Sequence, residues 1–146
     1  MTHHVTFVSP QAFRGQTLHY TDAYLTPYGP AFIAARDRDI VFWGFCSKVE
    51  ARGLRDALKQ KWRNSNWQVA SEAVGAMAEN AHAAPDRLAL ACTPFQHSVW
   101  QKLFDIPKGY VTSYKGLADE LNSAPRAIGS ALGANPISLP VSYTHL

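Results

Sequence analysis

Cysteine is scarce in this chain, with only Cys46 and Cys92 among 146 residues. Two thiols are too few for a disulfide framework or a four-ligand cysteine metal site, and they suit a reducing compartment. A cytoplasmic protein with no metal or other cofactor is the expectation. Long apolar runs are missing as well. No stretch approaches the roughly eighteen apolar residues of a membrane helix, and no charged segment leading into an apolar block follows His3-His4. A soluble monomer with no membrane partner is therefore expected. A dominant charge is also lacking: the net charge is +3, and Phe95 to Leu146 carries four Lys/Arg against three Asp/Glu. Charge alone marks no face for a polyanion, although it opposes none. Neither an internal repeat nor a low-complexity tract is found. What remains is a chain of 47% apolar and 17% charged residues, a composition that buries a core.

The first half reads as strands and then helix. Thr17 to Leu25, Pro30 to Ala35 and Ile40 to Cys46 are β-branched and aromatic runs. Turn residues at Thr26-Pro27-Tyr28-Gly29 and Arg36 to Asp39 separate them, which predicts an antiparallel meander. Val49 to about Trp62 places Leu54, Leu58 and Trp62 at a spacing of four among charged residues and reads as a helix. Gly75 to Ala84 is a weaker helix stopped by Pro85, and Asn64 to Ala91 reads as a connection.

The second half is richer in signals. Thr93-Pro94-Phe95-Gln96 is a capping box with proline at the first helical position, where no N–H is needed. A helix from Pro94 to about Phe104 follows, with Phe95, Val99, Trp100, Leu103 and Phe104 on its core side. Pro107 ends it, Gly109 permits a turn, and Val111-Thr112 is extended before Ser113 caps a second helix bearing Tyr114, Leu117, Ala118 and Leu121. Asn122-Ser123 supplies a turn and a fresh cap for a third helix from about Ala124 to Leu132. That helix carries Arg126 and the small residues Ala127, Gly129, Ser130 and Ala131. Gly133-Ala134-Asn135-Pro136 stops it, and Ile137 to Val141 reads as a short buried strand.

Together, Thr93-Pro94-Phe95-Gln96, Val99-Trp100, Ile106-Pro107-Lys108-Gly109, Thr112-Ser113-Tyr114, Leu117-Ala118, Pro125-Arg126-Ala127-Ile128-Gly129, Ala131-Leu132 and Asn135-Pro136 carry a resemblance. In order and spacing they resemble the DNA-binding domain of the O6-alkylguanine-DNA alkyltransferases, the methylated-DNA–protein-cysteine methyltransferases. The meander and its Thr26-Pro27-Tyr28-Gly29-Pro30 turn resemble the N-terminal domain of that family by order of elements. The resemblance implies an α+β chain: a small N-terminal antiparallel sheet with a helix and connection over 1–91, then a helical, winged-helix-like DNA-binding domain with a helix-turn-helix over 92–146. It also implies a partner, double-stranded DNA containing O6-alkylguanine. The third helix would enter the minor groove and the damaged nucleotide would be turned out of the stack. Arg126 matches the side chain that fills the vacated space, and Tyr114 matches the one that crowds the target phosphate. Ala127 and Gly129 fit close approach to the groove, Ser113 and Thr112 reach phosphate oxygens, and Asn135 ties the helices to the active-site strand.

The sequence departs from the family where the chemistry should be. In the family a Pro-Cys-His-Arg motif follows the strand after Asn-Pro, and its cysteine takes the alkyl group. Here Ser142-Tyr143-Thr144-His145 stands there, with Tyr143 at the nucleophile position. A phenol with a pKa near 10 is a poor substitute for a thiolate. The tail Val141 to Leu146 resembles translated sequencing-adapter read-through, so the expectation is a chain cut short before the motif, with 142–146 foreign to the family and no transfer by the chain as it stands. The alternatives are a non-catalytic alkyltransferase-like lesion binder and a generic helix-turn-helix DNA-binding protein. A generic sequence reader would show several major-groove base-reading residues on its recognition helix, whereas Ala124 to Leu132 offers only Arg126.

Overall fold

The computed structural model describes residues 4–26, 29–80, 87–105 and 113–137. Its centre is a six-stranded mixed sheet. The three expected strands are present as β2 (Thr17–Thr26), β3 (Gly29–Arg36) and β4 (Asp39–Phe45), paired as an antiparallel meander. Three more strands join in parallel: β1 (His4–Val8), β5 (Asn66–Val69) and β6 (Arg87–Ala91), giving the order β1-β6-β4-β3-β2-β5. The segment Asn64 to Ala91, read from the sequence as a connection, thus supplies two strands and a helix between them.

Helices cover both faces of the sheet. Helix α1 (Lys48–Lys61) starts at a capping box in which Ser47 Oγ accepts from the Glu50 N–H and Glu50 Oε1 accepts from the Ser47 N–H. With Leu58 and Trp62 it covers Phe32, Ala34, Val41, Ala89 and Ala91. Alternate residues of the same strands, Ala31, Ile33, Ala35, Leu88 and Leu90, face the opposite side, as the two-residue period of a strand requires. On that side lie α2 (Ser71–Asn80), α3 (Pro94–Phe104), α4 (Tyr114–Glu120) and α5 (Pro125–Gly133). Gly75 lets α2 rest on the sheet, since a Cβ there would meet the Tyr24 ring at 2.9 Å. One core joins strand residues to Val99, Trp100, Leu103, Leu117, Ala118, Ile128 and Ala131. The boundary expected at residue 91 falls between β6 and the cap of α3, and apolar packing is continuous across it.

Two local expectations are corrected. Phe95 does not face the core: it is 38% exposed at the start of α3, while Val99, Trp100 and Leu103 are buried. Ser123 does not cap α5. Asn122 takes a left-handed φ of 51°, the Ser123 N–H turns back to the Ala118 carbonyl at 2.8 Å, and Ala124 becomes the N-cap with no side-chain bond. Among the described residues no helix is long and apolar enough to cross a membrane.

Candidate nucleic-acid interface

Helix α3 is the base on which the other two helices stand. Its capping box forms as its residues dictate, with Thr93 Oγ1 accepting from the Gln96 N–H at 3.2 Å and Gln96 Oε1 accepting from the Thr93 N–H at 3.0 Å. From its buried side Trp100 reaches α5, and the indole Nε1 donates to the Ala131 carbonyl at 2.8 Å. That carbonyl belongs to the last turn of α5, where helical partners run out. The Asn135 N–H bonds the Leu132 carbonyl instead.

Ser113 begins α4 by accepting from the Gly116 N–H at 2.9 Å. The helix buries Leu117 and Ala118 against Ile128 and Ala131 of α5. This fixes the opposite faces outward. On α5 the spacing of three and four puts Arg126, Gly129, Ser130 and Gly133 along one side. Arg126, Ser130 and Gly133 are exposed and Gly129 is half-buried, with Ala127 beside them also half-buried. Tyr114 is 53% exposed, yet its ring lies over α5, because a Cβ on Gly129 would sit 3.5 Å from Tyr114 Cε2. Tyr114, Gly129, Ala127 and Arg126 therefore share one outward face of small side chains flanked by an aromatic ring and a guanidinium.

The electrostatics of this face are informative. Arg126 stands in the first turn of α5, where a cation opposes the helix dipole and costs stability rather than adding it. Among the described residues it makes no ion pair, whereas Lys102 takes up the Glu120 carboxylate of α4 at 3.5 Å. The start of α5 is also uncapped, leaving N–H groups open to an external anion.

Asn135 joins these helices to the sheet. Its Oδ1 accepts from the Ile137 N–H at 3.0 Å, which holds the chain extended after Pro136. The Pro136 carbonyl accepts from the Trp43 N–H of β4 at 2.8 Å, and Trp43 and Ile137 form a parallel bridge. Thr112, the rest of the strand expected from Ile137 to Val141, and Tyr143 lie outside the described residues.

Neither cysteine is prepared for nucleophilic attack. Burial pushes both thiols above their ordinary value; at Cys46 the carboxylates of Glu50 and Asp22 add to the rise, against a backbone hydrogen bond at Phe32. A thiol that holds its proton is a poor nucleophile. Among the described residues no cluster of three or more His, Cys, Asp or Glu could hold a metal.

A three-helix unit presenting a helix-turn-helix beside a helix-covered sheet defines a DNA-binding α+β class. Comparison with known proteins narrows it. Residues 94–143 match the family described as 6-O-methylguanine DNA methyltransferase, DNA binding domain. The chain is 29% identical over 117 residues to a methylated-DNA–protein-cysteine methyltransferase of Saccharolobus solfataricus, covering 80% of this chain and 72% of that one. A protein of the same name from Salmonella typhimurium is 55% identical over 51 residues, 34% of this chain and 30% of its own length. Among solved structures, the O6-methylguanine methyltransferase of Mycobacterium tuberculosis superposes with a TM-score of 0.58 at 26% identity, over 83% of this chain and 73% of that one. The crystal structure of Mycobacterium tuberculosis OGT in complex with DNA gives 0.53 at 27%, over 84% and 72%. The chain is thus similar to methylated-DNA–protein-cysteine methyltransferases over most of its length, and most closely so within residues 94–143.

Proposed function

We infer that this chain acts in the direct reversal of O6-alkylguanine in double-stranded DNA, a reaction in which the alkyl group moves from guanine O6 to a cysteine sulfur. The chain as it stands recognises the lesion without accepting the group. The observation that carries this reading is the outward face of α4 and α5, where Arg126, with no ion pair among the described residues, stands beside Gly129 and Tyr114. The small residues allow α5 into the minor groove. Arg126 occupies the space of the extruded nucleotide, offsetting an unstacking cost of a few kcal/mol. Tyr114 crowds the target phosphate, and the open N–H groups of α5 with Ser113 and Thr112 hold the backbone. Asn135 keeps this face in register with β4 through Ile137, Pro136 and Trp43.

The chemistry needs a thiolate aligned with the alkyl carbon, and the alkyl group then passes to sulfur as the bond to guanine O6 breaks and the base takes up a proton. Burial favours the protonated form of both Cys46 and Cys92. Two free thiols also suit a monomer acting in the cytoplasm.

The test uses matched duplexes with and without a single O6-methylguanine, labelled on the methyl group. Preferential binding of the lesion duplex is expected, with preference falling at least tenfold in Arg126→Ala, and no label on the protein. Label on Cys46 or Cys92 would overturn the binding-only reading, and equal affinity for both duplexes would overturn lesion recognition.

A further inference from the structure

A second feature lies outside the α4–α5 face. The turns of residues 9–16, the end of α1 and the start of α3 enclose a cleft of about 400 Å³. Arg14, Lys61 and Arg63 line it, and no Asp or Glu does. Where arginines of this chain have a carboxylate near they use it, Arg55 with Asp22 and Asp56, and Arg87 with Asp39. Arg14, Lys61 and Arg63 make no ion pair among the described residues; Lys61 Nζ has only the Trp62 ring, 5.6 Å away. Arg63 also borders an adjoining shallower hollow with Lys59, again without an acid.

The walls are fixed rather than loose. The Gly15 N–H donates to the Asn64 carbonyl at 2.8 Å and Ser65 Oγ to the Phe13 carbonyl at 2.7 Å, clamping the two turns together. Gly15 holds a φ of 72°, a conformation glycine adopts without strain. Beneath them Phe13 packs edge-on to Trp62 with centroids 4.9 Å apart. Three like charges held around one hollow repel unless a counter-ion sits among them. The amides of Asn64 and Gln96 add neutral donors at the edge.

We propose that this cleft binds a phosphate group, with Arg14 and Arg63 as its paired guanidinium ligands and Lys61 as the third cation. Guanidinium forks match phosphate oxygens two at a time, and an ammonium serves as a point charge. Burial already pushes the Lys61 ammonium below its ordinary range, a penalty that a bound anion relieves. The volume exceeds what inorganic phosphate fills, so the phosphate carries the rest of an ester with it. Two sources share that chemistry, a soluble phosphate ester and the phosphodiester backbone of nucleic acid.

The experiment is calorimetric titration of the full chain with inorganic phosphate at constant ionic strength, beside the double variant Arg14→Gln with Arg63→Gln. Arg38→Gln is the control, removing an exposed charge from the turn between β3 and β4. Saturable binding in the native chain and in R38Q, weakened at least tenfold in the double variant, is expected. The altered side chains are exposed, and an unchanged melting curve verifies the fold. No saturable binding, or equal binding in the double variant, overturns the site. The salt dependence of affinity for an unmodified duplex then identifies the source. A slope shallower by about 0.9 in the double variant assigns the backbone, one phosphate being lost, and an unchanged slope assigns the soluble ester. None of this depends on recognition of the alkylated base, because no residue of α4 or α5 lines the cleft.

Discussion

Replacing Trp100 with phenylalanine tests whether one indole nitrogen holds α5 in place. Trp100 is 1% exposed and Ala131 is 3% exposed, so the Ala131 carbonyl is left without its donor and out of reach of bulk water. An unpaired buried carbonyl costs about 1–3 kcal/mol. The smaller ring gives up roughly 40 Å² of buried apolar area, another ~1 kcal/mol at about 25 cal/mol per Å². The sum is a loss of about 2–4 kcal/mol from a chain of ordinary stability, about 5–15 kcal/mol, so the variant still folds. In urea, with a slope near 2 kcal/mol per molar, the midpoint falls by about 1–2 M. Duplex affinity, measured well below the midpoint, falls too, because α5 has lost its tie to α3. A midpoint within about 0.3 M of the native chain would refute the reasoning, since it would mean the carbonyl finds another donor and the indole bond holds nothing.

Three further predictions concern separate parts of the chain. Gly129→Ala should gain up to about 1 kcal/mol of stability from helix propensity, because the new Cβ meets Tyr114 only at ordinary contact distance. The same variant should bind duplex DNA several-fold more weakly, as the added methyl stands between α5 and the groove, so a melting curve and a binding isotherm move in opposite directions. Thr93→Ala removes the acceptor for the Gln96 N–H and should cost about 1 kcal/mol in urea denaturation. The buried Cys92 and half-buried Cys46 set an alkaline limit: the fold keeps each proton that the unfolded chain releases near the ordinary value of 9.0. Unfolded chains then bind fewer protons, so stability is full below that pH and falls as pH rises through it. The Cys46→Ala, Cys92→Ala double variant should lose less midpoint as pH rises through and above 9.0, and equal losses would show that the thiols carry none of the slope.

Local chemistry made part of this structure legible. The capping box at Thr93 and Gln96 and the apolar spacing of Val99, Trp100 and Leu103 specify α3 without help from the rest of the chain. The meander is equally readable, because its runs and turns alternate in the sequence. The parallel strands were missed for a physical reason. Arg87 to Ala91 is buried on both faces after its first residue, so it shows no polar–apolar alternation and passes for a connector. Ser47-Lys48-Val49-Glu50 is a second capping box that composition concealed and geometry reveals. Phe95 and Ser123 show the opposite failure, since periodicity and cap preference favour roles that the left-handed Asn122 and the solvent-facing start of α3 remove. The face of α4 and α5 was named residue by residue from family likeness. The contact of Tyr114 with Gly129, and the lack of an ion pair for Arg126 among the described residues, required coordinates. The cleft of Arg14, Lys61 and Arg63 draws on residues far apart in sequence, with no shared motif to signal it.

The placement of β6 has a consequence for how the polypeptide is assembled. Among the described residues the first strand pairs with the sheet only through a strand made some eighty residues later, since β1 pairs with β6, and β6 in turn with β4. A nascent chain emerging from the ribosome must therefore keep His4–Val8 unpaired, and the edge of β4 open, until Arg87–Ala91 has been synthesised. A fragment ending before that strand forfeits both ends of the chain's chronology at once.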